Sequence, residues 1–426
     1  MTLPEDFISE TRQLMGDERF ERLLRGLQQE APVSIRINER KPIKSPSTFK
    51  RQQSSSLVPH SSPVPWCPTG FYLDERPNFT FDPLLHAGCY YVQEASSMFI
   101  DHVVRTLTAQ SPSSVSHCLD LCASPGGKST CLRSILPDDC ILYSNEPIRP
   151  RAQVLNENIL KWGHPGVVVT NNYARDYRKS GLPFDLILTD VPCSGEGMFR
   201  KDPQAIAEWS LQKVRQCQQL QREIVNDIWP CLKPGGILIY STCTFNRHEN
   251  EDNVQWIARE LGADFITIPV EASWGITGSL TEDIPVYRFL PGYTRGEGLF
   301  MAVLKKSNPQ TTSHKPQTSN LRILSHGPLS PVQKGKDLIP DVSEALTIDI
   351  KNKYARVEVT WQQAIQYLRK EAVTLPADTP RGIVMVCFEG HPLGFAKNIG
   401  NRANNLYPSE WRIMTTHIPA QYQHVL

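Results

Sequence analysis

The sequence predicts an α/β fold, a doubly wound and mostly parallel sheet with helices on both faces. Three observations carry that expectation. Between residues 115 and 261, apolar runs of strand length alternate with segments of helical spacing. A tight Pro-Gly-Gly-Lys loop follows the first run, and a carboxylate, Glu146, comes about 20 residues later. Two further runs each lead to a cysteine at a turn, Cys193 and Cys243. In an open sheet the carboxyl ends of the strands line the ligand crevice, so both thiols are expected to face one substrate.

The totals suit two or three soluble domains: 426 residues, 40% hydrophobic and 21% charged. With 45 basic and 44 acidic side chains the net charge is +1, so a nucleic-acid surface has to be a local patch. No apolar stretch is long enough to predict a membrane span, and the first residues lack a signal peptide's basic start and apolar run. The eleven cysteines are accordingly expected to be reduced.

In chain order, residues 3–29 are expected to form one helix, stopped by Pro32, and 33–38 a strand. Arg36, Arg40, Lys41, Lys44, Lys50 and Arg51 face Glu39 alone in the next stretch, a run that suits phosphate contacts or a solvated loop equally. Residues 45–65 are Ser/Pro-rich and expected to be loop, and 99–107 a helix. Strands are expected at 115–122, 140–144, 167–170, 184–189 and 236–241, and helices at 129–136, 150–161, 210–229 and 250–261. Residues 286–290 and 299–305 suit a closing hairpin. The stretch 306–336 is rich in Ser, Thr, Pro, Gln and Lys and is expected to be a linker. Beyond it a small β-rich domain has a strand at 354–359, a helix at 361–370 whose Trp361 and Tyr367 suit a core, and a strand from Gly382. The expected division is 1–85 N-terminal segment, 86–305 catalytic domain, 306–340 linker and 341–426 tail domain.

Two motifs carry chemistry. In Asp120-Leu-Cys122-Ala123-Ser124-Pro125-Gly126-Gly127-Lys128, the glycines let the backbone approach a ligand, and the following helix start offers free N–H groups. Neither a Walker A loop nor the Gly-x-Gly-x-x-Gly fingerprint is present. Strand, loop, helix, strand and Glu146 together favour an adenosine-type cofactor over a plain turn. The second motif is the cysteine pair. A thiolate added to C6 of cytosine makes C5 enamine-like, an acid near N3 favours that addition, and a base must later remove the C5 proton. Asp190, Cys193 and Cys243 supply those group types. The alternative is a pair of inert core cysteines. A metal site is not expected, since neither Cys has a Cys-x2-Cys partner. Cys118 and Cys122, within one expected strand, suit the core.

These residues resemble the RNA 5-methylcytosine methyltransferases of the Nop/Sun family. Asp190-Val-Pro-Cys193-Ser-Gly-Glu-Gly and Ser241-Thr242-Cys243-Thr are similar to its two cysteine motifs, Cys122 to Lys128 to its S-adenosylmethionine loop, and Tyr90-Tyr-Val-Gln93-Glu94-Ala-Ser-Ser-Met to the segment entering its catalytic core. The likeness spans about residues 1–305. The stretch from Gly394 to Trp411 resembles the PUA-like RNA-binding domain of the bacterial branch that methylates small-subunit ribosomal RNA. The resemblance implies Cys243 as nucleophile, Cys193 in product release and Asp190 against the cytosine ring. It implies Cys122, Ala123, Ser124, Pro125, Gly126, Gly127, Lys128, Glu146 and Asp190 around the cofactor. Val191 stands where the family usually has Ala. For the adenine end, where many members carry Asp, Asn172 is favoured, with Tyr173 and Asp176 as alternatives.

The expectation is therefore an S-adenosylmethionine-dependent RNA cytosine-C5 methyltransferase with an N-terminal RNA-binding segment, a Rossmann-like catalytic domain and a PUA-like tail. Its expected partner is small-subunit rRNA or the assembling subunit, and its expected state a monomer in a bacterial cytoplasm, without metal or membrane. A transfer RNA methyltransferase and a non-catalytic ribosome-assembly factor are the alternatives. DNA is disfavoured, because DNA cytosine methyltransferases generally lack the second Thr-Cys. Arg200 with Lys201, and Lys397, Arg402, Asn404 and Tyr407 in the tail, are candidate RNA contacts, although residues 341–426 carry no marked net charge.

Overall fold

The computed structural model describes residues 2–42, 58, 60–110, 115–307, 321–335, 337–350, 353–400 and 402–426. Helices α1 (Glu5–Met15) and α2 (Asp17–Gln28) open the chain. The single helix expected over 3–29 is broken at Gly16, whose φ of 76° is open to glycine and costly for other residues. Strands β1 (Val33–Ile37), β2 (Ser61–Val64) and β3 (Cys67–Leu73), the short helix α3 (Pro83–His86) and strand β4 (Tyr90–Val92) follow. The four strands form an antiparallel sheet in the order β2-β3-β1-β4. Part of the expected loop over 45–65 is thus strand, while residues 43–57 lie outside the described residues.

Helix α4 (Phe99–Gln110) leads into the central sheet. Its elements alternate as β5 (His117–Asp120), α5 (Gly127–Ile135), β6 (Ile141–Asn145), α6 (Arg149–Trp162), β7 (Val167–Thr170), α7 (Ala174–Ser180), β8 (Phe184–Asp190), α8 (Pro203–Glu208), α9 (Leu211–Ile228), β9 (Leu232–Thr242) and α10 (Glu251–Leu261). Short β10 (Ala263–Phe265) and the hairpin β11 (Val286–Phe289) and β12 (Leu299–Lys306) complete one side. Strands β5 to β9 are mutually parallel, in the spatial order β9-β8-β5-β6-β7. Their apolar runs are buried on both faces, as a parallel sheet requires. From β5 the chain adds β6 and β7 on one side and then β8 and β9 on the other, so strand order reverses between β5 and β8, and the crevice at such a switch point is where ligands bind. Helices α1 and α2 pack against the loops after β8 and β9. Phe7 meets Phe199 and Trp209 edge-on at 5.2 and 5.6 Å, in a cluster that includes Phe245.

The segment expected to be linker also contributes strands. Residues 308–320 and 336 lie outside the described ones. Strand β13 (Ile323–His326) pairs antiparallel with β7 and caps that sheet edge, and β14 (Val332–Lys334) pairs with β15 (Asp337–Ile339). The polar composition around it concealed β13, a four-residue strand exposed at Ile323 and His326 and buried at Ser325. Helix α11 (Val342–Leu346), β16 (Ala355–Glu358), α12 (Trp361–Leu368), β17 (Gly382–Phe388), β18 (His391–Asn398) and β19 (Ala403–Asn405) form the tail domain around the sheet β16-β17-β18-β19. It shares one hydrophobic core with the N-terminal sheet. Trp361 Nε1 donates to the Phe81 carbonyl at 3.0 Å, and Tyr422 OH to the Asp82 carboxylate at 3.0 Å. Trp361 and Tyr367 are core residues, as their spacing predicts.

The basic run needs correction. Arg36 is fully buried, hydrogen-bonded to Gln93 Oε1 at 2.8 Å and Thr130 Oγ1 at 2.5 Å, so it ties the N-terminal sheet to α5. Lys41 donates to the carbonyls of Ala87 and Lys161 at 2.7 Å, and Arg40 pairs with Asp138. Arg36 and Lys41 are spent within the fold, whereas Arg40 makes a surface pair and stays largely exposed. Lys44, Lys50 and Arg51 lie outside the described residues.

Candidate active site

Strands β8 and β9 run in parallel register, Asp190 beside Ser241, so the turns that follow them lie side by side. Cys193, three residues beyond Asp190, and Cys243, two beyond Ser241, bring their sulfurs to 3.1 Å, beyond a disulfide's ~2.05 Å. Both are half-buried. The hydrogen bond with Cys243, and then burial, hold the Cys193 thiol well above the usual thiol range. Gly197 N–H donates to the Cys243 carbonyl at 2.8 Å, and a Cβ at Gly197 would stand 2.9 Å from that oxygen. The second glycine of Ser-Gly-Glu-Gly thus permits the close approach of the two loops. Val191 points into the core, so its extra bulk relative to Ala does not fill the site.

Asp190 sits at the end of β8 with both carboxylate oxygens engaged. Oδ2 accepts from Lys128 Nζ at 2.8 Å and Oδ1 from Ser241 Oγ at 2.7 Å. Burial works against the Lys128 charge, but the Asp190 carboxylate outweighs it and the ammonium is held above its ordinary value. Lys128, expected to hold the cofactor, therefore also joins the cofactor loop to the cysteine side.

On the other side of the crevice, Cys122 to Lys128 forms the turn from β5 into α5, with Gly126 at φ 116°. Cys122 is partly buried, and burial raises its thiol pKa. Glu146, at the end of β6, accepts from Ile148 N–H at 3.0 Å and lies 3.4 Å from Arg151. Asn172 does not offer a free amide. Its Nδ2 donates to the Arg322 carbonyl at 3.1 Å, and its Oδ1 accepts from Arg322 N–H at 3.0 Å. Asp176 accepts from Tyr173 N–H at 3.0 Å, which caps α7, and the Tyr173 ring is exposed. Asp120, at the end of β5, was not singled out for this role by sequence. It is fully buried, Oδ2 accepts from Ser129 Oγ at 2.7 Å, and Oδ1 has no hydrogen-bond partner among the described residues. Burial pushes its pKa up to about 7, with Asp190 adding to the rise. An orphan acceptor beside a glycine turn and the open first turn of a helix fits a ligand that brings donors, as the amino group and ribose of S-adenosylmethionine do.

Sequence reasoning passed over Glu196, Asn246 and Glu249 as well. All three lie in the cysteine loops, and both glutamates are fully buried. Burial, and then the neighbouring Glu196, push Glu249 up to about 7. The visible signal was a charged residue inside a Gly-Glu-Gly turn, where a solvent-exposed side chain is the usual case.

The candidate RNA contacts divide. Arg200 is buried and, with Lys201, pairs with Glu297 at 3.3 and 2.9 Å. Tyr407 is buried and so not free for RNA, while Lys397 makes a partly exposed pair with Asp337. Arg402 and Asn404 are exposed. Arg200, Lys201, Arg76 and Arg295 line a cleft of about 1050 Å³ between the N-terminal sheet and the catalytic domain, which also holds Glu30, Asp74 and Glu75. No helix among the described residues is long and apolar enough to cross a membrane.

Comparison with known proteins matches three segments of the chain. The family model for 16S rRNA methyltransferase RsmB/F matches residues 107–305, that for the N-terminal domain of 16S rRNA methyltransferase RsmF residues 3–95, and that for the methyltransferase RsmF PUA domain residues 354–413. Ribosomal RNA small subunit methyltransferase F of Cronobacter sakazakii is 30% identical, with 96% of each chain covered. The protein of that name from Escherichia coli O6:H1 is also 30% identical at the same coverage. Among solved structures, a methyltransferase homolog protein from Pyrococcus horikoshii shares the fold at a TM-score of 0.56 and 24% identity, covering 71% of this chain and 95% of that one. NSun6 from Pyrococcus horikoshii, solved with SFG, does so at 0.57 and 20%, covering 72% and 98%.

Proposed function

Because the chain belongs to the family of ribosomal RNA small subunit methyltransferase F, we propose that it methylates C5 of a cytosine in small-subunit ribosomal RNA, through a covalent bond between Cys243 and C6 of the base. The observation that supports this most is the meeting of two sulfurs 3.1 Å apart beside Asp190, at the carboxyl ends of two parallel strands. S-adenosylmethionine, held by Cys122 to Lys128 and Glu146, supplies an electrophilic methyl group when bound. The Cys243 sulfur adds to C6, which makes C5 electron-rich. Asp190, fixed by Lys128 and Ser241, meets the polar edge of the ring and stabilises the proton taken up at N3. Once C5 is substituted, loss of its proton breaks the C6–sulfur bond and regenerates Cys243. Cys193 serves that release: its thiol proton passes to the departing Cys243 sulfur 3.1 Å away as its own sulfur receives the proton leaving C5, and the proton on N3 returns to solvent. The base has to be flipped or unpaired to reach the crevice.

The test is a denaturing gel for a protein–RNA adduct, with S-adenosylmethionine and isolated subunits, naked rRNA or tRNA. Cys193→Ala is expected to accumulate the adduct on rRNA, and Cys243→Ala neither to trap nor to methylate. An adduct accumulating in Cys243→Ala instead reverses the two roles. A wild-type protein that methylates none of the RNAs overturns the proposal, and methylation of tRNA alone replaces its substrate.

A further inference from the structure

We propose that Glu196 and Glu249 are positioning residues that set the separation of the two active-site sulfurs, each carboxylate gripping the backbone of the other cysteine's loop. Glu196 follows Cys193 in the first loop. Its Oε2 accepts from the N–H groups of Phe245 and Asn246 in the second, at 2.5 and 3.0 Å. Glu249 follows Cys243. Its Oε2 accepts from Ser194 N–H, the residue after Cys193, at 3.0 Å. The grip is reciprocal, and Asn246 joins its halves. Asn246 Nδ2 lies 2.9 Å from Glu196 Oε1 and 2.8 Å from Glu249 Oε1. Ser194 Oγ and Thr244 Oγ1, one residue beyond each cysteine, meet at 2.9 Å. Gln221 completes the set from α9, donating to Glu249 Oε2 at 2.7 Å and to the Pro192 carbonyl at 2.8 Å. Trp209 Nε1 donates to Glu196 Oε1 at 3.0 Å.

Two fully buried carboxylates with no cation bonded to either among the described residues are costly, and a fold that needed only packing there would carry apolar side chains. Their acceptor count explains their presence. Between them they take three backbone N–H groups from two turns that cannot pair with each other as strands do. A glutamine has one acceptor oxygen, and its amide would set a donor against a donor. Both loops continue directly from the paired ends of β8 and β9, so the carboxylates extend the strand register past the sheet, as far as the sulfurs.

The chemical consequence rests on the proposed methyl transfer, in which Cys193 must stand close to the base that Cys243 holds. The geometric claim does not, and the first test addresses it alone. Diamide, an azo oxidant that takes up two thiol hydrogens, joins Cys193 to Cys243 at a rate set by how often the sulfurs meet. In the full-length protein this is read by mass spectrometry of the linked peptides. Glu196→Gln and Glu249→Gln are expected to slow that linkage about tenfold or more, with thermal midpoint and S-adenosylmethionine affinity near wild type. In turnover they are expected to lower kcat by about 10²-fold, the cost of a misplacement near 1 Å, with little change in KM for RNA. Asn246→Ala, which removes the joining amide and keeps the carboxylates, is expected to act in the same direction more weakly, and decides the matter if a glutamate variant does not fold. Linkage at the wild-type rate in folded variants overturns the proposal, whether or not the protein methylates RNA. Slowed linkage with an unchanged kcat overturns its chemical half.

Discussion

The carboxyl edge of the central sheet carries two kinds of buried acid. On the cysteine side, Glu196 and Glu249 are fully supplied with donors by the chain itself. On the cofactor side, Asp120 is just as deeply buried, yet one of its oxygens has no partner among the described residues. Satisfied networks rigidify, whereas an unpaired buried acceptor is paid for until a ligand arrives. On the proposed function, the cysteine half is therefore built before substrate binds, and the cofactor half is completed by what it binds. Asp190 stands between the two, held by Lys128 from the cofactor loop and by Ser241 from the cysteine side.

Breaking that junction is expected to have the largest effect. Asp190→Asn leaves one acceptor oxygen for two donors and leaves the largely buried Lys128 ammonium without its counter-charge. Methyl transfer in a single turnover is expected to fall by on the order of 10²–10³-fold, in the range of losing one preorganised electrostatic group. Cofactor affinity should fall far less, since the glycine turn and Glu146 are untouched. A single-turnover rate close to wild type would remove Asp190 from the chemistry and leave it a structural residue.

The same contrast explains what was legible in the sequence. The parallel sheet, its helices and both cysteine turns follow from local periodicity and turn residues, and β7 matches its expected bounds to the residue. The pairing of Cys193 with Cys243 was legible because it needs only two strand ends side by side. Glu196 and Glu249 were not, because their partners are backbone groups of another loop, which no pattern of side chains reveals. Arg36 misled for the opposite reason. Its neighbours in sequence are basic, but its partners Gln93 and Thr130 come from β4's edge and α5, and they bury it. Strand β13 is only four residues long and pairs through its backbone, so the polar composition around it favoured a linker.

A smaller effect sharpens the cofactor half. The folded Asp120 pKa of about 7 lies above its ordinary 3.8. The folded state thus holds this proton more tightly than the unfolded chain. That contribution to stability is complete below pH 3.8 and is lost as pH rises through about 7. Asp120→Asn removes the titration and keeps an acceptor for Ser129. The variant's melting temperature minus that of wild type is expected to become more positive between pH 5 and pH 8, by roughly a few degrees. Saturating S-adenosylmethionine should stabilise wild type by about 3 kcal/mol at a hundredfold excess over Kd and the variant by less. A pH-independent difference would mean that Asp120 is already ionised or already paired.

The smallest effects decide how the adenine end is made. Asn172 was the favoured contact by sequence, yet its amide is spent on the Arg322 backbone, which fastens β13 to the end of β7. Asn172→Ala is expected to cost about 1–3 kcal/mol of stability through two lost hydrogen bonds. Any weakening of cofactor binding should come with that loss and be restored by Asn172→Asp no better than halfway, since a carboxylate cannot donate to the Arg322 carbonyl. Asp176→Ala should cost only about 1 kcal/mol, the worth of a helix cap, with cofactor affinity unchanged. Thermal melts read beside calorimetric titration of S-adenosylmethionine separate the two. If Asp176→Ala weakens the cofactor without lowering the melting temperature, the adenine contact belongs to Asp176, and the crevice rearranges at α7 when the cofactor binds.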